Sequence, residues 1–265
     1  MYKLKIKNLV FYMKLPRLYF FFIMLVVSLT ITGCKSKKKD DDFITPGPEL
    51  YSNAIKLLEK NKNSEAAEEF GKIFFQHPGD ELTPQAELMQ AYALYLAGEY
   101  DEAVDVLDMF IKLHPMNADI AYAYYLKALS YYMQISNVAL DQSKTTLAKE
   151  SFEDVIKRFP GTKYALDSAL KIDLVNDHLA GKEMDVGRYY LKKKNPIAAL
   201  NRFQNVVDNY QTTSHIPEAL YRIVESYMLL GLTTEAEKYA SVLGYNYTDN
   251  KWYKHSYELI AKAKK

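Results

Sequence analysis

From Glu49 onward, apolar residues recur at the three- and four-residue spacing that is typical of amphipathic helices. One motif is repeated, Ala-x3-apolar-x2-apolar-x4-terminator, in which the small residue lets two helices approach and the two apolar residues share a face. Its copies begin at Ala66, Ala103, Ala148, Ala199 and Ala236. Proline ends the first three copies, as expected for a residue that cannot continue a helix, whereas Gln211 and Thr248 stand in the last two and predict looser helix ends. The pattern predicts an all-α chain of about five helix hairpins.

A first helix precedes each motif. In the second copy it runs from about Pro84 to Ala97 and stops at Gly98, and Gly231 stops the corresponding helix of the fifth copy. The longest connection within a hairpin is predicted for residues 134–144. Between Thr162 and Asn195 the helical pattern is continuous, which is consistent with one long helix or with two abutting helices softly broken at Gly181.

The N-terminal pattern is different. Residues 18–32 form an apolar run that is too short to span a bilayer, because a spanning helix needs about 20 residues. Basic residues precede this run, and Gly33 and Cys34 follow it, which is the order of a bacterial lipoprotein signal. We therefore expect a signal peptide over 1–33 and acylation of Cys34. The alternative is an uncleaved anchor with a chance cysteine. The basic segment after Met13 is a sufficient flank, so translation starts either at Met1 or, as we expect, at Met13.

Charge blocks and a Pro-Gly-Pro sequence indicate a flexible tether over 34–48, followed by the helical repeats over 49–250 and a short C-terminal helix or tail over 251–265. After cleavage, 29 basic residues would face 33 acidic residues, a net charge of −4 that does not favour nucleic-acid binding.

The chain offers little for catalysis. Cys34 is the single cysteine, so its acylation would leave no thiol, no disulfide and no cysteine-based metal site. No phosphate-binding loop, zinc-protease helix or nucleophile elbow is present, and the five histidines lack metal-ligand spacing. We expect a protein that is not an enzyme and that holds no cofactor or metal.

The segment Gly98-x-Tyr100-x2-Ala103-x3-Leu107-x2-Phe110-x4-Pro115 resembles a tetratricopeptide repeat. The resemblance covers about residues 49–250. It implies a solenoid of stacked helix hairpins with a right-handed superhelix, a fold that usually binds peptides or partner domains.

Three stretches, over 159–165, 186–192 and 198–210, resemble the BamD family of outer membrane assembly lipoproteins. That resemblance implies a lipid-anchored scaffold at the periplasmic face of the cell outer membrane, and Lys35 after the acylated cysteine agrees with this location. The implied partners are the periplasmic repeats of BamA, other Bam lipoproteins and unfolded outer membrane proteins. The alternative is another periplasmic repeat lipoprotein that assists pilus secretin assembly or cell-wall synthesis.

Carried over by position, Arg202 is the leading candidate for an ion pair with BamA, with Asn201 and Tyr210 as weaker companions. The alternative for Arg202 is an ordinary solvated helix residue. Aromatic residues on the first helices are candidates for a groove that receives the C-terminal signals of unfolded barrel proteins, since tyrosine combines an apolar body with a hydrogen-bonding tip. The groove candidates are Tyr92, Tyr95, Tyr124 and Tyr131. The alternative is inter-repeat core, and Tyr124 and Tyr125 cannot both face the same way.

Overall fold

The computed structural model describes residues 44–263, and within this range the chain forms eleven α-helices and no β-strand. Five hairpins account for ten of them. Their helices are α1 (Gly47–Glu59), α2 (Asn63–Gln76), α3 (Thr83–Ala97), α4 (Tyr100–Leu113), α5 (Ile120–Tyr132), α6 (Ser143–Arg158), α7 (Lys163–Lys192), α8 (Pro196–Asn209), α9 (Ile216–Leu229) and α10 (Thr233–Asn246), and α11 (Lys251–Ala263) follows. The odd-numbered helices are the first helices of the hairpins, and the even-numbered ones are the second helices.

The helices stack in chain order, because each one packs on its neighbours in sequence. First helices also contact the next first helix at α3–α5 and α5–α7, and the first helix α9 contacts the final helix α11. The motif supplies the core. The first large apolar residue of the motif is fully buried in each of the first four copies, where it is Phe70, Leu107, Phe152 and Phe203 in turn. The fifth copy has the half-buried Ala240 at this position. The prediction of an all-α solenoid of five hairpins is therefore confirmed.

The helices end in a few recurring backbone conformations. Gly98 and Gly231 adopt φ of +81° and +75°, a left-handed conformation that stops a helix and that glycine tolerates without strain. The residue after each second helix has φ between −124° and −138°, including Tyr210 and Tyr247. The helix ends before Gln211 and Thr248 thus share the backbone conformation of the three ends that proline follows, and the expected loosening there stays a prediction. Thr213 Oγ1 donates to the Tyr210 carbonyl at 2.8 Å, and Thr248 Oγ1 donates to the Gly244 carbonyl at 2.7 Å.

Helix α1 begins at Gly47, so the tether expected over 34–48 extends two residues too far. Pro48 is compatible with the first turn of a helix because the N–H it lacks has no partner there anyway. Thr45 is also held, since its N–H donates to Gln76 Oε1 at 3.1 Å and its carbonyl lies 2.7 Å from His77 Nε2. The signal peptide over 1–33, Cys34 and the rest of the tether lie outside the described residues.

Helix α7 is a single helix of 30 residues that runs through Gly181 without a break. The cost of a glycine in a helix, about 1 kcal/mol, is outweighed by packing, because Gly181 is buried beside Val138 and His215. The buried face changes along the helix. Val175 packs on α5 and α6, whereas Met184, nine residues later and therefore on the opposite side, packs on α8.

Helix α11 closes the last repeat by packing on α9 and α10. Trp252 stacks on Tyr221 with ring centres 5.1 Å apart, and the Arg222 guanidinium lies 5.3 Å from the Tyr221 ring centre and 5.5 Å from the Trp252 ring centre. Between residues 44 and 263, none of the helices combines the length and the apolar character needed to cross a bilayer.

Candidate partner-binding site

Arg202 lies at a cleft of about 430 Å³ between α7 and α8. Its Nη1 atom donates to Glu183 Oε2 at 3.2 Å, and 44 % of its side chain is exposed against 18 % for Glu183. The antiparallel hairpin brings these two residues together. Because Arg202 is substantially exposed, this ion pair contributes only about 0–1 kcal/mol to stability. In this arrangement the contact directs the guanidinium toward the mouth of the cleft.

Of the two companions of Arg202, the structure brings one into the cleft. Asn201 is exposed and lines it together with Tyr190 and Asn205. Tyr210 is half-buried at the C-terminal end of α8 and is not among the lining residues. Burial raises the pKa of Tyr210, and the nearby Glu183 carboxylate raises it further. The Tyr210 ring also accepts a cation–π contact from Lys149, whose ammonium lies 5.3 Å from the ring centre.

This arrangement can bind a carboxylate or a carbonyl group of a partner. A guanidinium has donors on several nitrogen atoms, and Glu183 occupies only the Nη1 side of Arg202. The cleft also presents the side-chain amides of Asn201 and Asn205. Glu183 was missed by the sequence reasoning, since it lies nineteen residues before Arg202 and only the register of the hairpin reveals their contact.

Tyr92 and Tyr95 belong to the packing between repeats rather than to an open surface. Both are half-buried in the cluster formed with Leu88 and Phe110, and Tyr95 also contacts the core of the first repeat. Burial is the main cause of the raised pKa of Tyr95. For these two candidates the structure favours the alternative interpretation, inter-repeat core.

Tyr124 is in a different environment. It lines a cleft of about 340 Å³ with Ile111, Ile120, Arg158 and Phe159, among others. The ring centres of Tyr124 and Phe159 are 5.3 Å apart, and the Arg158 guanidinium lies 5.3 Å from the Tyr124 ring centre. A cleft with aliphatic and aromatic walls, and with a cation at its rim that also pairs with Asp154 at 3.6 Å, is suited to an aromatic group that carries a carboxylate.

Its neighbour Tyr125 is core. The Tyr125 hydroxyl donates to Asp167 Oδ2 at 2.5 Å, and its ring packs 5.2 Å from that of Tyr164. The expectation that Tyr124 and Tyr125 face different ways is thus confirmed. Tyr131 lies nearer the end of α5, where Lys144 Nζ is 5.5 Å from its ring centre.

The rings of Tyr122 and Tyr164 were not among the groove candidates, although they join first helices α5 and α7 with centres 5.6 Å apart. Burial raises the pKa of Tyr122, and the neighbouring Tyr92, Tyr164 and Tyr95 add to this shift. The tyrosines of α3, α5 and α7 therefore form one aromatic cluster that stabilises the stacking of three repeats.

One buried acid stands apart from these surfaces. Glu87 on α3 is 4 % exposed, and its Oε2 atom lies 2.9 Å from His114 Nε2. Burial raises the pKa of Glu87, and His114 offsets part of that effect. Among the residues that the structure describes, no group of three or more His, Cys, Asp or Glu side chains is placed to hold a metal ion.

Comparison with known proteins assigns the family. The model of the YfiO family, described as outer membrane lipoprotein, matches residues 45–243. The chain is 68 % identical over 237 residues to the outer membrane protein assembly factor BamD of Rickettsia prowazekii, covering 89 % of this chain and 94 % of that protein. It is 43 % identical over 238 residues to BamD of Caulobacter vibrioides, covering 89 % and 78 % of the two chains. These relatives are named assembly factors and not enzymes.

The chain therefore belongs to a family of outer membrane lipoproteins, and within that description it is a member of the BamD family. Solved structures add less. The tetratricopeptide-repeat domain of P58(IPK) is 16 % identical with a TM-score of 0.39, over 82 % of this chain and 65 % of that one. That score is too low to support a conclusion, and the fold class rests on the helices and their contacts.

Proposed function

We propose that this protein is a lipid-anchored scaffold of the outer membrane β-barrel assembly complex, held at the periplasmic face by acylated Cys34. The observation that carries the proposal is the 68 % sequence identity to BamD of Rickettsia prowazekii, in an alignment that covers 94 % of that protein. Its partners would be the periplasmic repeats of BamA, other Bam lipoproteins and unfolded outer membrane proteins.

The cleft at Arg202 is our candidate surface for BamA. Its support is an exposed guanidinium, held in place by Glu183 and flanked by the Asn201 amide. An acidic group of BamA that entered the cleft would pair with a cation already oriented by the fold, so little side-chain entropy would be lost on binding. Exclusion of water from the cleft would strengthen the Coulombic attraction of this pair, and the pair adds affinity where that gain exceeds the cost of desolvating the two charges. Tyr210 would act indirectly, through packing at the end of α8.

The test is a charge reversal with a matched control. Arg202→Glu is expected to weaken binding of purified BamA periplasmic repeats by about tenfold or more, because it places a carboxylate against Glu183 and against the acidic partner. Lys238→Glu makes the same change of charge at an exposed position of α10 and is expected to leave the affinity unchanged. Biolayer interferometry at two salt concentrations measures both. Equal effects of the two variants would remove Arg202 from the interface.

For unfolded barrel proteins, the geometry supports the cleft at Tyr124. A peptide that ends in an aromatic residue with a free carboxylate fits a cleft that has aromatic and aliphatic walls and is rimmed by Arg158. Tyr124→Ala is expected to weaken the binding of such a peptide about tenfold, because one aromatic wall of the cleft is lost. Fluorescence polarisation measures this affinity. Tyr189→Ala, at a 56 % exposed tyrosine of α7, is the control. A peptide with an amidated C-terminus should bind the wild type less tightly than the free acid.

The function as a whole is tested by a mild-detergent pull-down of the tagged protein from outer membranes. Recovery of BamA in near-equal amounts is expected. Recovery of a pilus secretin or a cell-wall enzyme in its place would leave the fold intact and would overturn the assembly role.

A further inference from the structure

The first half of α7 carries three exposed leucines in a row. Leu166, Leu170 and Leu174 are 68 %, 69 % and 55 % exposed and follow one another at four-residue intervals. They therefore form one stripe, which we call the α7 stripe, along one side of the helix. A contiguous apolar patch of this kind on a folded protein is often functional.

The stripe is bare because α8 is too short to cover it. At about 1.5 Å per residue, α7 is about 45 Å long and α8 is about 21 Å long. Leu166 lies on the same side of α7 as Met184, five turns further on, and Met184 is buried under α8. The stripe thus continues the α7–α8 interface beyond the end of α8, and a helix is the element that this surface already accommodates.

The charges at its two ends are opposite and symmetrically placed. Lys163 lies seven residues before Leu170, and Asp177 lies seven residues after it. Leu166 and Leu174 lie four residues before and after the same position. At about 100° per residue, all five side chains project within an arc of about 80°. Asp167 and Asp173 flank this arc about 60° to either side of Leu170, so complementarity to a copy that runs in the opposite direction rests on the three leucines and the two end charges.

We propose that a second copy of this chain docks on the α7 stripe, antiparallel, with the two-fold axis at Leu170. A two-fold interface requires a self-complementary patch, which is the property found here. Each Leu166 then meets Leu174 of the second copy, and each Lys163 meets Asp177 of the second copy.

The size of the stripe fixes the strength of the dimer. Three leucines on each copy bury much less than the roughly 1,200 Å² of a standard interface, so we expect a weak dimer, and we take a Kd on the order of 100 µM for the design of the test. Asp177 already accepts a hydrogen bond from Ser214 Oγ at 3.0 Å and is 44 % exposed, so its pairing with Lys163 sets the register more than the affinity.

Sedimentation equilibrium of the full chain tests this. Between about 10 and 500 µM the mean mass is expected to rise toward that of a dimer, as follows from the affinity given above. Leu170→Ser should abolish the rise, whereas Leu229→Ser, at a similarly exposed leucine of α9 (63 %), should leave it intact. A chain that stays monomeric throughout, or a dimer that Leu229→Ser affects equally, overturns the proposal.

Charge exchange tests the register. Lys163→Asp and Asp177→Lys are each expected to weaken the dimer about fivefold, and the double variant is expected to restore it, since the opposite charges meet again. Circular dichroism verifies that every variant is folded. If Asp177→Lys unfolds the chain, the single Lys163→Asp variant at an exposed site still decides, because an unchanged dimer contradicts the register.

Cross-linking identifies the occupant. A benzophenone amino acid at position 170 of the full chain, irradiated with equimolar BamA periplasmic repeats present, should join two copies through their α7 helices. Adducts that map instead to residues 34–43 of the same chain, or to BamA, would assign the stripe to another occupant and overturn the proposal. The same probe at position 229 should give neither adduct.

Discussion

The contact between Gly187 and Phe203 shows how closely single residues set the spacing of two helices. The Phe203 ring is fully buried on α8, and a methyl group at position 187 of α7 would lie 2.6 Å from its Cζ atom. Gly187→Ala is expected to lower the free energy of unfolding by about 1–3 kcal/mol through overpacking. Urea denaturation followed by circular dichroism measures this.

Gly71 provides the matched control, since it is also buried within a helix. A methyl group there would meet the Nε2 atom of Gln90 at 2.7 Å, which is the far end of a flexible side chain that can turn away. Alanine also favours the helix by about 1 kcal/mol over glycine. Gly71→Ala should therefore leave stability unchanged or raise it. A similar loss at both positions would show that helix spacing is not controlled at Gly187.

The buried carboxyl group of Glu87 makes the free energy of unfolding depend on pH. Because its pKa is raised above the ordinary 4.5 by burial, the folded chain takes up this proton more readily than the unfolded chain. Ionised Glu87 thus lowers stability above its folded pKa, and this penalty is relieved as the pH falls toward 4.5. The stability of the wild type relative to Glu87→Gln is expected to rise between pH 7 and about pH 4.

Urea denaturation at several pH values measures that difference, with Glu68→Gln as a control at an exposed position of α2. A wild type that loses stability relative to Glu87→Gln on acidification would contradict the assigned cause, because an ion pair with His114 would then outweigh burial.

At this scale the sequence predicted the site only in part. Arg202 and Asn201 were identified by resemblance, but their cleft depends on Glu183, which no local pattern connects to them. Tyr124 and Tyr125 were separated by the 100° rotation between adjacent helical residues. The sequence did not show which of the two tyrosines lies in the core, because that depends on the positions of α6 and α7. The step of about 100° between adjacent residues of α5 does not define those positions.

Helix α11 illustrates how an element at the end of a solenoid is secured. Among the described helices it has neighbours on one side only, and Trp252 supplies its stacking contact with Tyr221. Trp252→Ala should raise hydrogen exchange across Lys251–Ala263 by at least tenfold, while exchange in α3 to α5 stays unchanged, because repeats contact only their neighbours. Hydrogen-exchange mass spectrometry measures both regions.

Tyr257, which lies on the same helix and is 66 % exposed, is the control. Tyr257→Ala removes an aromatic ring of similar kind without the stacking contact, and we expect little change in exchange. Faster exchange that spread into α3 to α5 would contradict the local character of this contact.

Helix α7 shows what periodicity left open at the scale of elements. The apolar pattern over 162–195 predicted helix throughout, and the glycine at 181 suggested a soft break. The break does not occur, because Gly181 permits the close approach of Val138 and His215. The change of buried face between Val175 and Met184 was also not predictable, since a pattern reveals apolar positions but not which neighbour covers them.

For the whole molecule, stacking in one dimension predicts that damage stays local. Phe70 and Phe203 occupy the same motif position in the first and fourth repeats, and both are fully buried. Phe70→Ala and Phe203→Ala should each cost about 3–5 kcal/mol. Hydrogen exchange should rise around α1 to α4 in the first variant and around α7 to α10 in the second. Uniform unfolding of all repeats in both variants would instead indicate a single cooperative unit.

The attachment of Thr45 to Gln76 and His77 has a mechanical consequence. A tensile force applied to the chain before α1 acts on these two hydrogen bonds, 3.1 Å and 2.7 Å long, before it acts on the helix. Part of the load then passes directly to the turn after α2, and α1 is sheared against α2 rather than unwound from its end. The first hairpin is thus built to transmit tension along the repeats without fraying.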